Sequence, residues 1–201
     1  LKGRHIGVTF GGNDETIMKT LLIRSGLGPE DVTISGVRFD FTPFLRKKVE
    51  IWPVYRNSQG VILENKLAGE GEAVRFLNPA RFGVSFVANS VVTSGKMLRT
   101  SPLVVDAFAR ALLRAWEDAM DPAKEDMVLR TVMEKDKANT GNILRKQISV
   151  TRSLVRPDPG IPVGRIHLQA WQQTEKIMLR EKLIGRPVHV ETRLVGPGLA
   201  F

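Results

Sequence analysis

Cysteine is absent from this 201-residue chain. That excludes disulfides, thiolate metal sites and cysteine nucleophiles, and leaves the compartment open. Histidine occurs three times, as His5, His167 and His189. These have no ligand-like spacing to one another or to carboxylates, whereas a zinc site needs three or four convergent ligands. Surface or strand-end positions are expected for them, with no metal. No Gly-x-Ser-x-Gly elbow, Walker loop or GxGxxG fingerprint occurs, so neither catalysis nor a bound cofactor is expected. No stretch approaches the roughly 18 to 20 uninterrupted apolar residues of a membrane helix. There is no charged-then-apolar signal segment, and the chain opens on Leu1 rather than Met. A processed or partial chain is therefore expected.

What is present is ordinary in bulk. Hydrophobic residues make up 42% and charged residues 25%, as in folded globular proteins. The length suits one large domain or two small lobes. The net charge is +9, and a basic balance points to nucleic acid, an anionic membrane or an acidic ligand. The basic residues are dispersed, however. "LRKK" (45–48) is short, and Arg145, Lys146, Arg152 and Arg156 share a stretch with Ile143, Ile148 and Leu154. That pattern reads as the wet face of an amphipathic helix. Specific nucleic-acid binding is not expected, and any DNA retention should vanish at physiological salt.

Along the chain, "RHIGVT" (4–9) reads as a strand, "TIMKTLLIRSGLG" as a helix, "DVTISGVRF" (31–39) as a second strand and "DFTPFLRKK" as a short helix. Asp40 or Thr42 is expected as its cap, with Pro43 in the first turn. "VEIWPV" predicts a third strand whose proline marks an end or edge. This alternation predicts an α/β domain with a parallel sheet. "ENKLAGEGEAVRFLNPARFG" (64–83) reads as turns around a short strand, "AVRFL", and "VSFVANSVVTS" (84–94) as a long β-branched strand. After residue 100 the texture becomes helical: Ser101-Pro102 and Asp121-Pro122 are helix starts, two amphipathic helices follow, and the last ends at Gly185. "RPVHVETRLV" (186–195) predicts a short strand.

Two places suit a ligand. "FGGND" places Phe10, Gly11, Gly12, Asn13 and Asp14 where a strand yields to a helix. The glycines allow close approach, and the helix start offers N–H donors. Asn13 or Asp14 also suits a plain helix cap. The paired acids Asp14 and Glu15 disfavour phosphate and favour a neutral or amine-bearing ligand. In "VEIWPVYRN", Trp52 and Tyr55 flank a proline just past an apolar strand, followed by Arg56 and Asn57. Ligands of open parallel sheets bind beyond the carboxyl ends of the strands, where both stretches fall. Aromatic faces there hold a flat ring, and the polar neighbours orient it. The competing reading makes Trp52 core and Tyr55 half-buried packing.

Together "LKGRHIGV", "GGNDETIMKTLLIRSGL", "FDFTPFLRKKVEIWPVYRN", "FGVSFVANSVVTS" and "AWQQTEKIMLREKLIGRPV" resemble the sulfonate/thiamine-precursor-type (pyrimidine synthase-like) substrate-binding proteins of ABC transporters. The resemblance implies the type II periplasmic-binding fold: two α/β lobes joined by crossing strands, closing on a small molecule. It implies that residues 1–84 form lobe two, 85–94 the crossing strand, and 95–201 a mostly helical part of lobe one. It further implies a heteroaromatic or amine-containing ligand, an ABC permease as partner, and a periplasmic or extracytoplasmic location. Family members usually carry roughly a hundred more residues before "LKGRHIGV", about one small domain. Exposed apolar surface or a homodimer through it is therefore expected. Two other classes share the scaffold: the effector domain of a transcription regulator, and an enzyme making the thiamine pyrimidine. The first would need a helix-turn-helix segment and the second a cysteine-rich motif; neither occurs in this sequence.

Overall fold

The computed structural model describes residues 1–38, 40–87 and 89–196. Phe39 and Ala88, each within an expected strand, lie outside the described residues. The chain forms two compact units. One comprises Leu1–Val54, Arg75–Ala88 and Leu168–Thr192; the other comprises Tyr55–Val74, Asn89–His167 and Arg193–Phe201.

In the first unit, β1 (His5–Val8) and β2 (Thr33–Gly36) pair in parallel, from His5 opposite Thr33 to Val8 opposite Gly36. Parallel neighbours need a crossover, and α1 (Asn13–Arg24) lies in it. Strand side chains alternate. Ile6 and Val8 therefore share one face and pack on Met18 and Leu22 of α1, with Ile34, Leu27 and Ile51 around them. His5, Gly7 and Ser35 take the other face, where His5 Nε2 and Ser35 Oγ are 2.6 Å apart. The second helix, α2 (Thr42–Leu45), is opened by Asp40, whose carboxylate accepts from both the backbone N–H and the hydroxyl of Thr42.

Four expected strands take other forms. "VEIWPV" contributes only a bridge between Ile51 and Ile6. The N–H groups of Glu50 and Ile51 both turn to the His5 carbonyl, and Pro53 has no N–H to continue a ladder. "AVRFL" finds no partner strand among the described residues. Val84–Val87 is irregular because side chains satisfy its donors: Gln173 accepts from Ser85 N–H and Thr174 from Val87 N–H. Both belong to α8 (Leu168–Arg180), which ends before Gly185 and packs Ile177 on Leu21 and Val84. In "RPVHVETRLV" the Glu175 carboxylate takes the N–H groups of Val188 and His189, and His189 turns left-handed at φ 54°. A 3-10 turn at Val190–Thr192 stands where a strand was expected.

The second unit is helical. It includes α3 (Gln59–Gly69), α4 (Gly95–Thr100), α5 (Pro102–Met120), α6 (Glu125–Lys135) and α7 (Gly141–Val155). α3 occupies chain that reads as turns because Gly, Asn, Glu and Lys crowd it; Val61, Leu63 and Leu67 are nonetheless buried. Leu129, Leu144 and Ile148 form the α6–α7 core with Val128 and Val132. Of the basic residues of α7, Arg145 and Lys146 are exposed, as expected of a wet face, while Arg152 and Arg156 are partly buried, and their ion pairs tie the helix to its neighbours. Arg145 pairs with Glu125 and Asp126, and Arg156 with Glu117. Arg152, its side chain only 15% exposed, binds Glu125 and the carbonyls of Ala119 and Asp121. α5 is amphipathic, yet its stripe of Leu103, Val104 and Phe108 lies open, with Leu103 at 81% exposure.

Among the described residues both strands precede residue 37 and the two longest helices, α5 and α7, follow residue 100, the mixed α/β order expected. Among the described residues no helix is long and apolar enough to cross a membrane.

Candidate functional site

The Gly-Gly turn follows β1 directly. Gly11 is left-handed at φ 77°, a conformation glycine adopts freely. The helix cap falls on Gly12, not on Asn13 or Asp14. Asp14 instead reaches back to accept from Thr9 N–H at 2.6 Å, Glu15 accepts from Gly11 N–H at 2.7 Å, and Gly12 N–H donates to the Thr9 carbonyl. A side chain at Gly12 would strike the Asp14 carboxylate and the Thr9 carbonyl. The turn's donors are thus largely consumed by the protein's own oxygens. The hydrogen bond from Lys19, and then that from Gly11 N–H, hold the Glu15 carboxyl below its ordinary pKa, so it is charged at neutral pH. The Asp14 and Glu15 carboxylates repel an anion here and do not repel a neutral or cationic molecule.

The aromatic side chains divide between the faces of the sheet. Phe10 is 63% exposed, and its ring lies over Gly36, on the face that Val8 shares. Trp52 is half-buried, with its ring over Gly7 on the opposite face and Phe41 meeting it edge-on at 5.0 Å between centroids. Gly7 is the seat of the indole: a Cβ there would stand 2.8 Å from Val37 and 3.3 Å from Trp52 Cδ1. Phe10 and Trp52 are therefore not a pair of facing walls.

Tyr55, Arg56 and Asn57 belong to the second unit. Tyr55 is 52% exposed, and its backbone N–H donates to Gln59. Arg56 pairs with Glu64 at 3.1 Å, and the Asn57 amide donates to Thr151 on α7. Concavities among the described residues include two that lie elsewhere. One of about 570 Å³ lies at the end of α6 beside Thr131 and Lys135; one of about 160 Å³ is lined by Leu1, Leu21, Leu27 and Phe82. Neither includes a residue expected from sequence to touch ligand. Sequence reasoning passed over three residues that shape the site: Glu15 as a turn clamp, Gly7 as the indole seat and Phe41 as its edge partner. A carboxylate four residues after Gly11 was a usable signal for the first.

A sequence model of the family described as "NMT1/THI5 like" matches residues 1–125. The chain belongs to that family. The NMT1/THI5-like assignment implies the type II periplasmic-binding fold, and the short parallel sheet with its helices is compatible with it. Among curated proteins, the riboflavin-binding protein RibY of Chloroflexus aurantiacus is 26% identical over 199 residues, covering 95% of this chain and 54% of that protein. The chain thus spans about half the length of the curated relative it matches.

Proposed function

We propose that this NMT1/THI5-like chain is a solute-binding component of an ABC importer that takes up a small heteroaromatic or amine-bearing molecule outside the cytoplasm. The observation that carries the reading is the family match over residues 1–125. The name of the 26%-identical relative adds a flavin as a concrete ligand to try. The turn chemistry supports the same class, since the Asp14 and Glu15 carboxylates at this turn repel an anion. In this reading Phe10, Gly11, Gly12, Asn13 and Asp14 form one contact segment, Trp52 is a second contact, and Tyr55, Arg56 and Asn57 form a further contact segment. The protein hands its ligand to a membrane permease and performs no chemistry on it.

The test is calorimetric titration of the chain with riboflavin, an amine-bearing pyrimidine and an alkyl sulfonate. Saturable binding of one of the first two, weakened by Tyr55→Ala without a fall in melting temperature, supports the proposal. Stacking on such a ring is worth about 0.5 to 1.5 kcal/mol beyond burial, so the loss should be about threefold to tenfold. Preferential binding of the sulfonate, or turnover of the pyrimidine, would reject it.

A further inference from the structure

Buried polar hydrogens in folded proteins nearly always have acceptors, and an exception calls for an explanation. Among the described side chains of the first unit the exception is Trp52. Its indole Nε1 is shielded from solvent and has no hydrogen-bond partner. The neighbours show why no acceptor is at hand. The ring presses on the backbone of β1 at Gly7, where buried Val37 fills the adjoining space, and Phe41 closes on it edge-first. A ring needed only for packing would leave no orphan donor if it were phenylalanine. Here the chain keeps an indole in an otherwise apolar seat, on the sheet face opposite α1.

We infer that the Trp52 indole N–H is a specificity donor, reserved for an acceptor in the plane of the ligand ring and reached when Phe41 turns aside. This rests on the solute-binding reading above and narrows it. The preferred ligand carries a carbonyl oxygen or an unprotonated ring nitrogen at its edge, and the same flat ring without that acceptor is rejected. The discrimination has a physical basis: a site built to hydrogen-bond a ligand group disfavours an analogue lacking it far more than an apolar wall can. Moving Phe41 is feasible because it is held by an edge contact rather than by covalent or ionic bonds.

The probe is riboflavin, whose ring system bears carbonyl oxygens and unprotonated nitrogens. Titration with the wild type and with Trp52→Phe should show at least a tenfold loss of affinity in the variant. Its melting temperature should be unchanged or raised, because an unsatisfied donor has been removed. In nitrogen–proton spectra of the three tryptophans, the Trp52 indole signal should move downfield when riboflavin is added to the wild type. Equal affinity in Trp52→Phe, or an indole signal that stays in place while riboflavin binds, overturns the inference and leaves the solute-binding reading intact. Should Trp52→Phe fail to fold, the wild-type indole shift decides alone. Absence of any riboflavin binding by the wild type overturns the flavin-class reading, and this inference with it.

Discussion

The two units are held together by different means. The first uses a two-stranded sheet packed on α1, with glycine where rings and side chains come closest. Its interior is Ile6, Val8, Met18 and Leu22, and backbone geometry at Gly7, Gly11 and Gly12 decides what fits nearby. The second uses helices whose small apolar core of Leu129, Leu144 and Ile148 is ringed by ion pairs from α7 to α5 and α6. Charged groups serve opposite purposes in the two. Asp14 and Glu15 close a turn and shape what could approach it, whereas Glu125 and Arg152 join one helix to another. Identical residue types thus close a turn in one place and join helices in the other, according to whether the backbone around them is open or packed.

The comparison can be broken or sharpened by mutation. Leu144→Ala should have the largest effect, about 2 to 5 kcal/mol in urea unfolding, since it empties a fully buried site. A loss below about 1 kcal/mol would mean that ion pairs, not the core, hold the second unit. Arg152→Met should cost about 1.5 to 3 kcal/mol by leaving the Ala119 carbonyl and one Glu125 oxygen without their donor; a neutral result would make the cluster ornamental. Gly7→Ala should cost about 1 to 3 kcal/mol through overpacking against Val37 and Trp52. Its counterpart Gly69→Ala, at the end of α3 with open space around the new methyl, should instead stabilise by about 0.4 to 1 kcal/mol. Finding the same sign at both glycines would erase the contrast between the units.

Acid should act on both units in the same direction. Glu50 is held below its ordinary pKa by the His5 N–H and then by Arg4, and Glu125 by Arg145 and then by Arg152. A carboxylate with a depressed folded pKa lends stability that is complete above its unfolded value, about 4.3, and is lost as pH falls through the folded value. Melting temperature should therefore be flat from pH 7 to about 5 on this account and fall below about 4. Glu125→Gln should lower it at pH 7, with the gap to wild type closing in acid; a gap that widens in acid would contradict the assignment. The smallest effect belongs to Phe108→Ser on the open face of α5. Being 58% exposed, the ring should contribute within about 0.5 kcal/mol to stability, while binding of a hydrophobic dye should drop. A larger loss of stability would show that this face is covered in solution.

Much of the architecture was legible because it depends on local chemistry. The periodicity of "TIMKTLLIRSGLG", Pro43 in the first turn of α2 and the Ser101-Pro102 start each act within a few residues. α3 escaped notice because its buried Val61, Leu63 and Leu67 lie among residues typical of turns, and packing overrode that local preference. The expected strands failed for a common reason. A β-branched run becomes a strand only if another strand offers it a ladder, and "VSFVANSVVTS" meets side chains of α8 instead.

For the candidate site, the sequence determined the residue types: two glycines, two acids and a tryptophan beside a proline, placed just beyond apolar runs. That followed from spacing along one strand and one turn. Only the tertiary structure decided that Phe10 and Trp52 would lie on opposite faces, and that the indole N–H would have no partner. Those outcomes depend on groups 15 to 45 residues apart, such as Gly7 with Val37 and Trp52, and no local propensity encodes how such distant groups meet.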